Sequence, residues 1–351
     1  MKLATLRDGT RDGTLIVVSR DLRKGVSARS VAPTLQAALD DWGRCEPKLK
    51  RIYQDLNNAA SRDDFGVGSP DLWESSVLPM GMFTSRAPSF DLSVDQLMAP
   101  LPRAYQWADA SAFLSHVQRV RRARGAEMHA EAKSEPLMYQ GGSDSMLGAN
   151  DPIAVADENW GIDLEAEVGI VTGDVPMGSA CERPEDLIRL LVLINDVSLR
   201  NLTPSELAKG FGFFQSKSWT AFSPVAVTPD ELGNAWDGKK VHRPVLVHIN
   251  GVELGHPNAG TDMEFDFPRL ISHAARTRPL GAGTIIGSGT VSNNARSAGV
   301  ACLAEGRALE TIDSGKLVST YLRFGDRVRI EMLDERGESI FGAIDQQVVR
   351  A

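Results

Sequence analysis

Three stretches of this chain hold acidic side chains at spacings that could do chemistry. The first is Asp163-Leu164-Glu165-Ala166-Glu167-Val168-Gly169-Ile170-Val171. Apolar and acidic residues alternate there, so a β-strand would turn Glu165 and Glu167 to one face, roughly 6–7 Å apart at Cα. Two carboxylates so placed can converge on a divalent cation, a hard ion that favours oxygen ligands. The same pattern also describes the solvated polar face of an ordinary amphipathic strand. The second stretch is an apolar run, Leu190-Leu191-Val192-Leu193-Ile194, that ends in Asn195-Asp196 and then Arg200. A buried strand could deliver Asp196 rigidly to a ligand; a strand end with turn-forming Asn-Asp is the plainer reading. The third runs from Asp109 to His116. Asp109 suits the cap of a helix starting there. His116 follows close to two helical turns later, on the same face. A histidine so placed is either a proton carrier or simply structural.

The elements that must position these residues read as follows. KLATL and TLIVVS flank the polar turn RDGTRDG and predict a hairpin over residues 1–20. Helical spacing of Leu35, Leu39 and Trp42 predicts a helix over 33–42, with a second over 46–60. Residues 61–102 are loop-rich and end at Pro100-Leu101-Pro102, which places a boundary between domains 1–100 and 101–351. Beyond it, Val245, Val247 and Ile249 alternate up to Asn250-Gly251, the strongest short hairpin signal in the chain. A second hairpin is expected across Val328–Ile340, turning at Glu335-Arg336-Gly337, and helices over 111–124 and, after Asp266, 267–277. Val300-Ala301-Cys302-Leu303 reads as an apolar strand with Cys302 in the core. The fold class expected is therefore α+β, mainly β.

The bulk numbers narrow the partners. The chain has 351 residues, 42% hydrophobic and 24% charged, with a net charge of -8. That suits a two-domain globular protein and argues against nucleic acid or an anionic membrane as partner. Cys45, Cys181 and Cys302 form no CxxC and predict a reducing compartment. The N-terminus meets charge too early for a signal peptide, and the run at 190–194 is too short to span a bilayer. A cytoplasmic location is expected. The glycine-rich stretches Lys209–Gly212 and Gly281–Gly289 lack the spacing of a nucleotide-binding loop.

Taken in order, the three acidic stretches resemble the fumarylacetoacetate hydrolase family. Tyr139-Gln140-Gly141, Gln215-Ser216-Lys217-Ser218, Gly287-Ser288-Gly289-Thr290-Val291 and Phe341-Gly342-Ala343-Ile344-Asp345-Gln346 fit as well. The resemblance covers about 100 to 347, and residues 1–100 resemble the small β domain of two-domain members. It implies a mixed β-sheet roll for the catalytic part, a small SH3-like N-terminal barrel, and a homodimer. It further implies Asp109, Glu165, Glu167 and Asp196 as metal ligands for Mg²⁺ or Ca²⁺, with Mn²⁺ also suited. His116 matches the general base and Glu305 its carboxylate partner. Arg200 and Lys217 match active-site cations, and Tyr139 and Thr290 match substrate contacts. Arg124 matches a substrate-binding arginine, with Arg121 and Arg122 competing for that role. Two positions depart from the animal fumarylacetoacetases: Thr203 stands where they carry glutamine, and Ser111, in the substrate region, where they carry tyrosine.

The implied reaction is hydrolysis of a carbon–carbon bond in a small acidic diketone, such as fumarylacetoacetate in tyrosine degradation. Related activities include fumarylpyruvate hydrolase, oxaloacetate decarboxylase and 2-oxo-acid hydratase or dehydratase. The leaving group in such hydrolysis is a carbanion, tolerable only as an enolate. A divalent cation chelated by a 1,3-diketone stabilises that charge, and an imidazole oriented by a carboxylate activates water.

Overall fold

Turn chemistry and alternation decide where this chain doubles back. The computed structural model describes residues 1–60, 88–128, 130–180 and 187–351. Cys181 and most of the loop-rich stretch 61–102 lie outside the described residues. In chain order the N-terminal part gives β1 (Lys2–Leu6), β2 (Thr14–Val18), β3 (Lys24–Ser27), α1 (Leu35–Asp40), α2 (Trp42–Ala60) and β4 (Ser89–Asp91). There follow β5 (Trp107–Ala110), α3 (Leu114–Ala123), β6 (Met138–Gly141), β7 (Ile153–Val155), β8 (Ile162–Asp163), β9 (Ala166–Thr172), β10 (Ile188–Leu199), α4 (Thr203–Leu207), β11 (Lys217–Phe222) and β12 (Ala226–Val227). The last part gives β13 (Leu246–Ile249), β14 (Val252–Gly255), α5 (Phe267–Ala274), β15 (Ile285–Gly287), α6 (Leu303–Ser314), β16 (Arg327–Glu331) and β17 (Ile344–Arg350).

Both short hairpins form as their turns require. β1 and β2 pair from Leu6↔Thr14 to Lys2↔Val18. Asn250 (φ 53°) and Gly251 (φ 78°) take the paired positive dihedrals of a type I′ turn between β13 and β14. The turn expected near Glu335–Gly337 closes with Asp334 N donating to Glu338 O. Asp266 caps α5, accepting from Arg269 N at 3.0 Å.

The strands make a mixed, mainly β architecture. One sheet runs β4-β3-β2-β1-β12-β10-β9-β15-β5-β6, with β8 and β11 attached to β10; a second runs β14-β13-β16-β17-β7. The N-terminal strands, expected as a small SH3-like barrel, form an antiparallel ladder that continues into the long sheet where Lys2 faces Val227 and Leu3 faces Ala226. No helix among the described residues is long and apolar enough to cross a membrane.

The unbroken apolar run at 190–194 now has its reason. Leu191 and Leu193 face one core, with Ile170, Val168 and Phe265. Leu190, Val192 and Ile194 face another, with Leu35, Leu39, Leu49 and Tyr53 of α1 and α2. A strand covered on both faces carries no alternation. Each such side chain, fully buried, stabilises the fold by about 1.5–3 kcal/mol. The N-terminal helices therefore back the strand that carries Asp196.

Three readings are corrected. Asp109 lies on strand β5 and caps nothing; α3 starts at Leu114 with Phe113 at its N-cap, so Asp109 and His116 share no helix face. Asp109 is instead locked by ladders to β15 and β6, and pairing on both edges outweighs the local capping preference. The polar face of 163–169 is not solvated: Asp163, Glu165 and Glu167 are all buried. Val300–Leu303 is not a strand; Cys302 is the N-cap of α6.

Candidate metal centre and active site

Neighbouring strands bring the acids together. On β10-β9-β15-β5-β6, Gly287 of β15 sits between Asp109 of β5 and Gly169 of β9, and Asp109 faces Tyr139 of β6. Glu167 is two residues from Gly169, and Asp196 follows Asn195, which faces Ala166. Ligand oxygens of Asp109, Glu167 and Asp196 lie within 4.8 Å of one another, all buried. Glycine at 287 is what permits this. A Cβ there would stand 2.9 Å from Glu167 Oε2 and closer still to Asp109 Oδ1. Gly289, at φ 74°, turns its N–H to donate to Asp109 Oδ1 at 3.1 Å.

The fourth expected ligand is placed differently. Glu165 lies outside this cluster and is held by cations. Its Oε1 accepts from Lys217 Nζ (2.9 Å) and Ser198 Oγ (2.7 Å), and Arg200 Nη2 lies 2.6 Å away. Its Oε2 accepts from Thr290 Oγ1 at 2.6 Å. Lys217 also donates to Asp196 Oδ2 at 2.6 Å, so it bridges the two acids. Asp196 further accepts from Tyr139 Oη and from Thr220 Oγ1, the latter at 2.9 Å. The hydroxyls of Tyr139 and Thr290 are thus engaged by carboxylates. A cavity of about 250 Å³ opens beside Tyr139, Asp196, Lys217 and Thr220.

The helices supply the second group. α3 packs on α6 and brings His116 Nδ1 to 2.8 Å from Glu305 Oε2. Oε1 of Glu305 accepts from Arg119 Nη1 at 2.5 Å and Ser292 Oγ at 2.8 Å. Arg119 and Ser292 escaped the sequence reading. Arg119 stands one turn after His116 on the same helix face, the only local hint. Asp163 was missed too: it accepts from Arg200 Nε (2.8 Å) and from the first N–H groups of α6, Leu303 (2.8 Å) and Ala304 (2.9 Å). Two expected contacts lie further out. Arg124, the C-cap of α3, is exposed. Ser111 borders a separate cavity of about 400 Å³ with Leu114, Arg121 and Met138.

The model of the fumarylacetoacetate hydrolase C-terminal domain matches residues 106–349, and that of fumarylacetoacetase N-terminal domain 2 matches residues 1–73. The chain belongs to the fumarylacetoacetate hydrolase family. It is 28% identical over 160 residues to a 2,4-didehydro-3-deoxy-L-rhamnonate hydrolase of Sphingomonas sp. (strain SKA58), a match covering 45% of this chain and 53% of that protein, so about half of the relative is spanned. Maleylpyruvate hydrolase from Sphingobium sp. SYK-6, solved with manganese(II) and pyruvate, aligns over all of both chains with a TM-score of 0.60 at 15% identity. A fumarylacetoacetate hydrolase from Exiguobacterium antarcticum does so with a TM-score of 0.62 at 18% identity. These solved structures share the fold.

Electrostatics in this family member divide the acids into two classes. Burial, then Asp196, push the Asp109 carboxyl up to about 8. Burial, then Asp109 and Asp196, push Glu167 up as well. Glu165 goes the other way: burial opposes its charge, but Arg200 and Lys217 outweigh that and hold it well below the usual carboxylate range. Lys217 loses to burial and gains more from Asp196 and Glu165, so its ammonium is held charged. Glu305 is likewise kept ionised against burial, by His116 and Arg119.

One observation tests whether these residues fit a cation. Both carboxylate oxygens of Glu167 are buried without a hydrogen-bond partner. An unpaired buried carboxylate is costly unless it is protonated or bound to a cation. Three converging acids, all oxygen donors, suit a hard dication. The residues present fit it.

Proposed function

We propose that this chain is a divalent-metal-dependent hydrolase of a carbon–carbon bond in a small 1,3-diketo acid of the acylpyruvate or fumarylacetoacetate type. The observation that carries the reading is the pairing of His116 with buried Glu305, in the same chain as an acid cluster whose Glu167 oxygens lack partners. Asp109, Glu167 and Asp196 would hold the cation, with Glu165 beside them as the anchor for Lys217 and Arg200. When bound, Mg²⁺, Mn²⁺ or Ca²⁺ would supply Lewis-acid stabilisation of the enolate charge that develops as the carbon–carbon bond of the 1,3-diketone breaks.

The chain's own residues do the rest. Glu305 accepts from Nδ1–H of His116, which leaves Nε2 as the lone-pair nitrogen. That nitrogen takes a proton from the attacking water, worth typically ~10²–10⁴-fold. The proton is then available for the carbon leaving group. Arg119 and Ser292 hold the other oxygen of Glu305, so the carboxylate stays ionised and cannot swing away. Lys217 and Arg200 present fixed positive charge, which stabilises the oxyanion formed at the attacked carbonyl or orients a substrate carboxylate. Tyr139 and Thr290 act through Asp196 and Glu165, whose oxygens their hydroxyls engage.

A decarboxylase or hydratase needs the cation but not this imidazole–carboxylate pair, which favours hydrolysis. The deciding experiment is product analysis with Mn²⁺-loaded protein and an acylpyruvate. Two carboxylic acids, formed at a rate that falls with chelator and in His116→Asn, support the proposal. Release of CO₂, or turnover unaffected by His116→Asn, overturns it.

A further inference from the structure

The same imidazole has a neighbour that the proposed reaction does not use. Cys302 Sγ lies 3.9 Å from His116 Nδ1 and accepts the N–H of Glu305 at 3.4 Å. Nδ1 of His116, Sγ of Cys302 and a carboxylate oxygen of Glu305 all fall within 4.8 Å of one another. Cys302 and Glu305 are fully buried, while His116 keeps an exposed edge. This is a nitrogen, sulfur and oxygen set, unlike the all-oxygen cluster of Asp109, Glu167 and Asp196. Softness divides them: thiolate and imidazole select zinc-like ions, and carboxylates select magnesium- or manganese-like ions.

We propose that His116, Cys302 and Glu305 form a second metal site, selective for a thiophilic dication such as Zn²⁺ or Cd²⁺, whose filling switches off the base. Tetrahedral zinc with Zn–S about 2.3 Å and Zn–N or Zn–O about 2.0–2.2 Å sets its ligands about 3.4–3.6 Å apart. The observed 2.8 Å (N to O) and 3.9 Å (S to N) reach those separations with shifts of about half an ångström. Arg119 and Ser292 grip Oε1 of Glu305, so Oε2 is the oxygen left for the ion.

The proton inventory gives the consequence. With the imidazole neutral, the Oε2 acceptor of Glu305 places its one proton on Nδ1. A dication bound at Nδ1 moves that proton to Nε2, and the thiol proton leaves to solvent as Sγ becomes a ligand. Nε2 then carries a hydrogen and has no lone pair to receive one from water. Hard and soft dications therefore act oppositely on one chain: one loads the carboxylates, the other blocks the imidazole. The site itself stands on geometry; only its effect on turnover rests on the hydrolase reading.

The test uses Cd²⁺ as a spectroscopic probe and Zn²⁺ as the inhibitor, on full-length protein saturated with Mg²⁺. Cys302→Ser keeps an N-cap oxygen for α6 and removes the soft ligand. Wild type should develop a thiolate-to-cadmium charge-transfer absorption that Cys302→Ser loses and Cys45→Ser retains. Half-inhibition by Zn²⁺, measured relative to each protein's own Mg²⁺ rate, should need at least about tenfold more Zn²⁺ in Cys302→Ser. An absorption unchanged in Cys302→Ser overturns the site whatever the enzyme's reaction proves to be. Wild type whose turnover ignores Zn²⁺ while the cadmium signal saturates overturns the switch.

Discussion

Replacing Gly287 by alanine is the sharpest probe of the acid cluster, because it replaces no ligand and changes no charge. The new Cβ would stand 2.9 Å from Glu167 Oε2, nearer still to Asp109 Oδ1, and against the ring of Trp107. Ordinary contact for a Cβ begins near 3.4 Å, so Glu167 must retreat by 0.5 Å and Asp109 by more. Ligand distances in a metal site tolerate only about ±0.2 Å. The displacement therefore exceeds what the cation can absorb, and a loss of about 10–100-fold in affinity follows, about 1.4–2.7 kcal/mol. Overpacking itself should lower the stability of the metal-free protein by about 1–3 kcal/mol. Titration calorimetry with Mn²⁺ on chelator-treated protein reads the first quantity, and urea unfolding reads the second. Folded Gly287→Ala that bound Mn²⁺ as tightly as wild type would refute the claim that Asp109 and Glu167 meet at a cation.

Further predictions separate the parts of the site. Glu305→Gln should lower kcat by about 10²-fold or more, toward the full general-base contribution, with Mn²⁺ affinity unchanged; a parallel loss of Mn²⁺ binding would mean that the pair is not distinct from the metal centre. Asp163→Asn should destabilise the fold by about 1–3 kcal/mol, since it removes the charge that accepts from Arg200 Nε and from the first N–H groups of α6 while Glu165 still pairs with Arg200, and a urea midpoint equal to wild type would contradict this. The pH dependence follows from Asp109, whose carboxyl sits near 3.8 when unperturbed and about 8 in the folded, metal-free protein. A raised folded value means stability fully present below 3.8 and lost as pH rises through about 8. Metal-free protein should thus lose melting temperature from pH 6 to about pH 9, whereas Mn²⁺-loaded protein should not, and Mn²⁺ binding should release protons near neutral pH. Calorimetry in buffers of different ionisation enthalpy that found no proton release would count against it.

Much of the fold was legible because the relevant physics is local. Asn250-Gly251 demanded a type I′ turn, and the chain makes one. Asp266 announced the start of α5, and RDGTRDG the first hairpin. The acids Glu167 and Asp196 lie in patterns that also fit an ordinary polar face and an ordinary strand end, and it was the ordered set of motifs that marked them as a site. Local rules also misled. The stretch from Asp109 to His116 satisfies helix spacing, yet the ladder from β15 and β6 claims Asp109 for a strand.

What the sequence by itself determined, then, was the inventory: which acids, which imidazole, which turns, and a run of apolar residues fit for a strand buried on both faces. Only the tertiary structure decided the pairings. Glu165 pairs with Lys217 and Arg200, and Lys217 ties it to Asp196 of the Asp109, Glu167 and Asp196 cluster. Gly287 became the gap in which two carboxylates meet. The resemblance had already matched Glu305 to His116, 189 positions away, and the packing of α3 on α6 is what brings the two together. Spacing along a chain fixes side-chain direction within one element. Charges meet across elements, and their energies depend on burial and distance that only the packed strands and helices define.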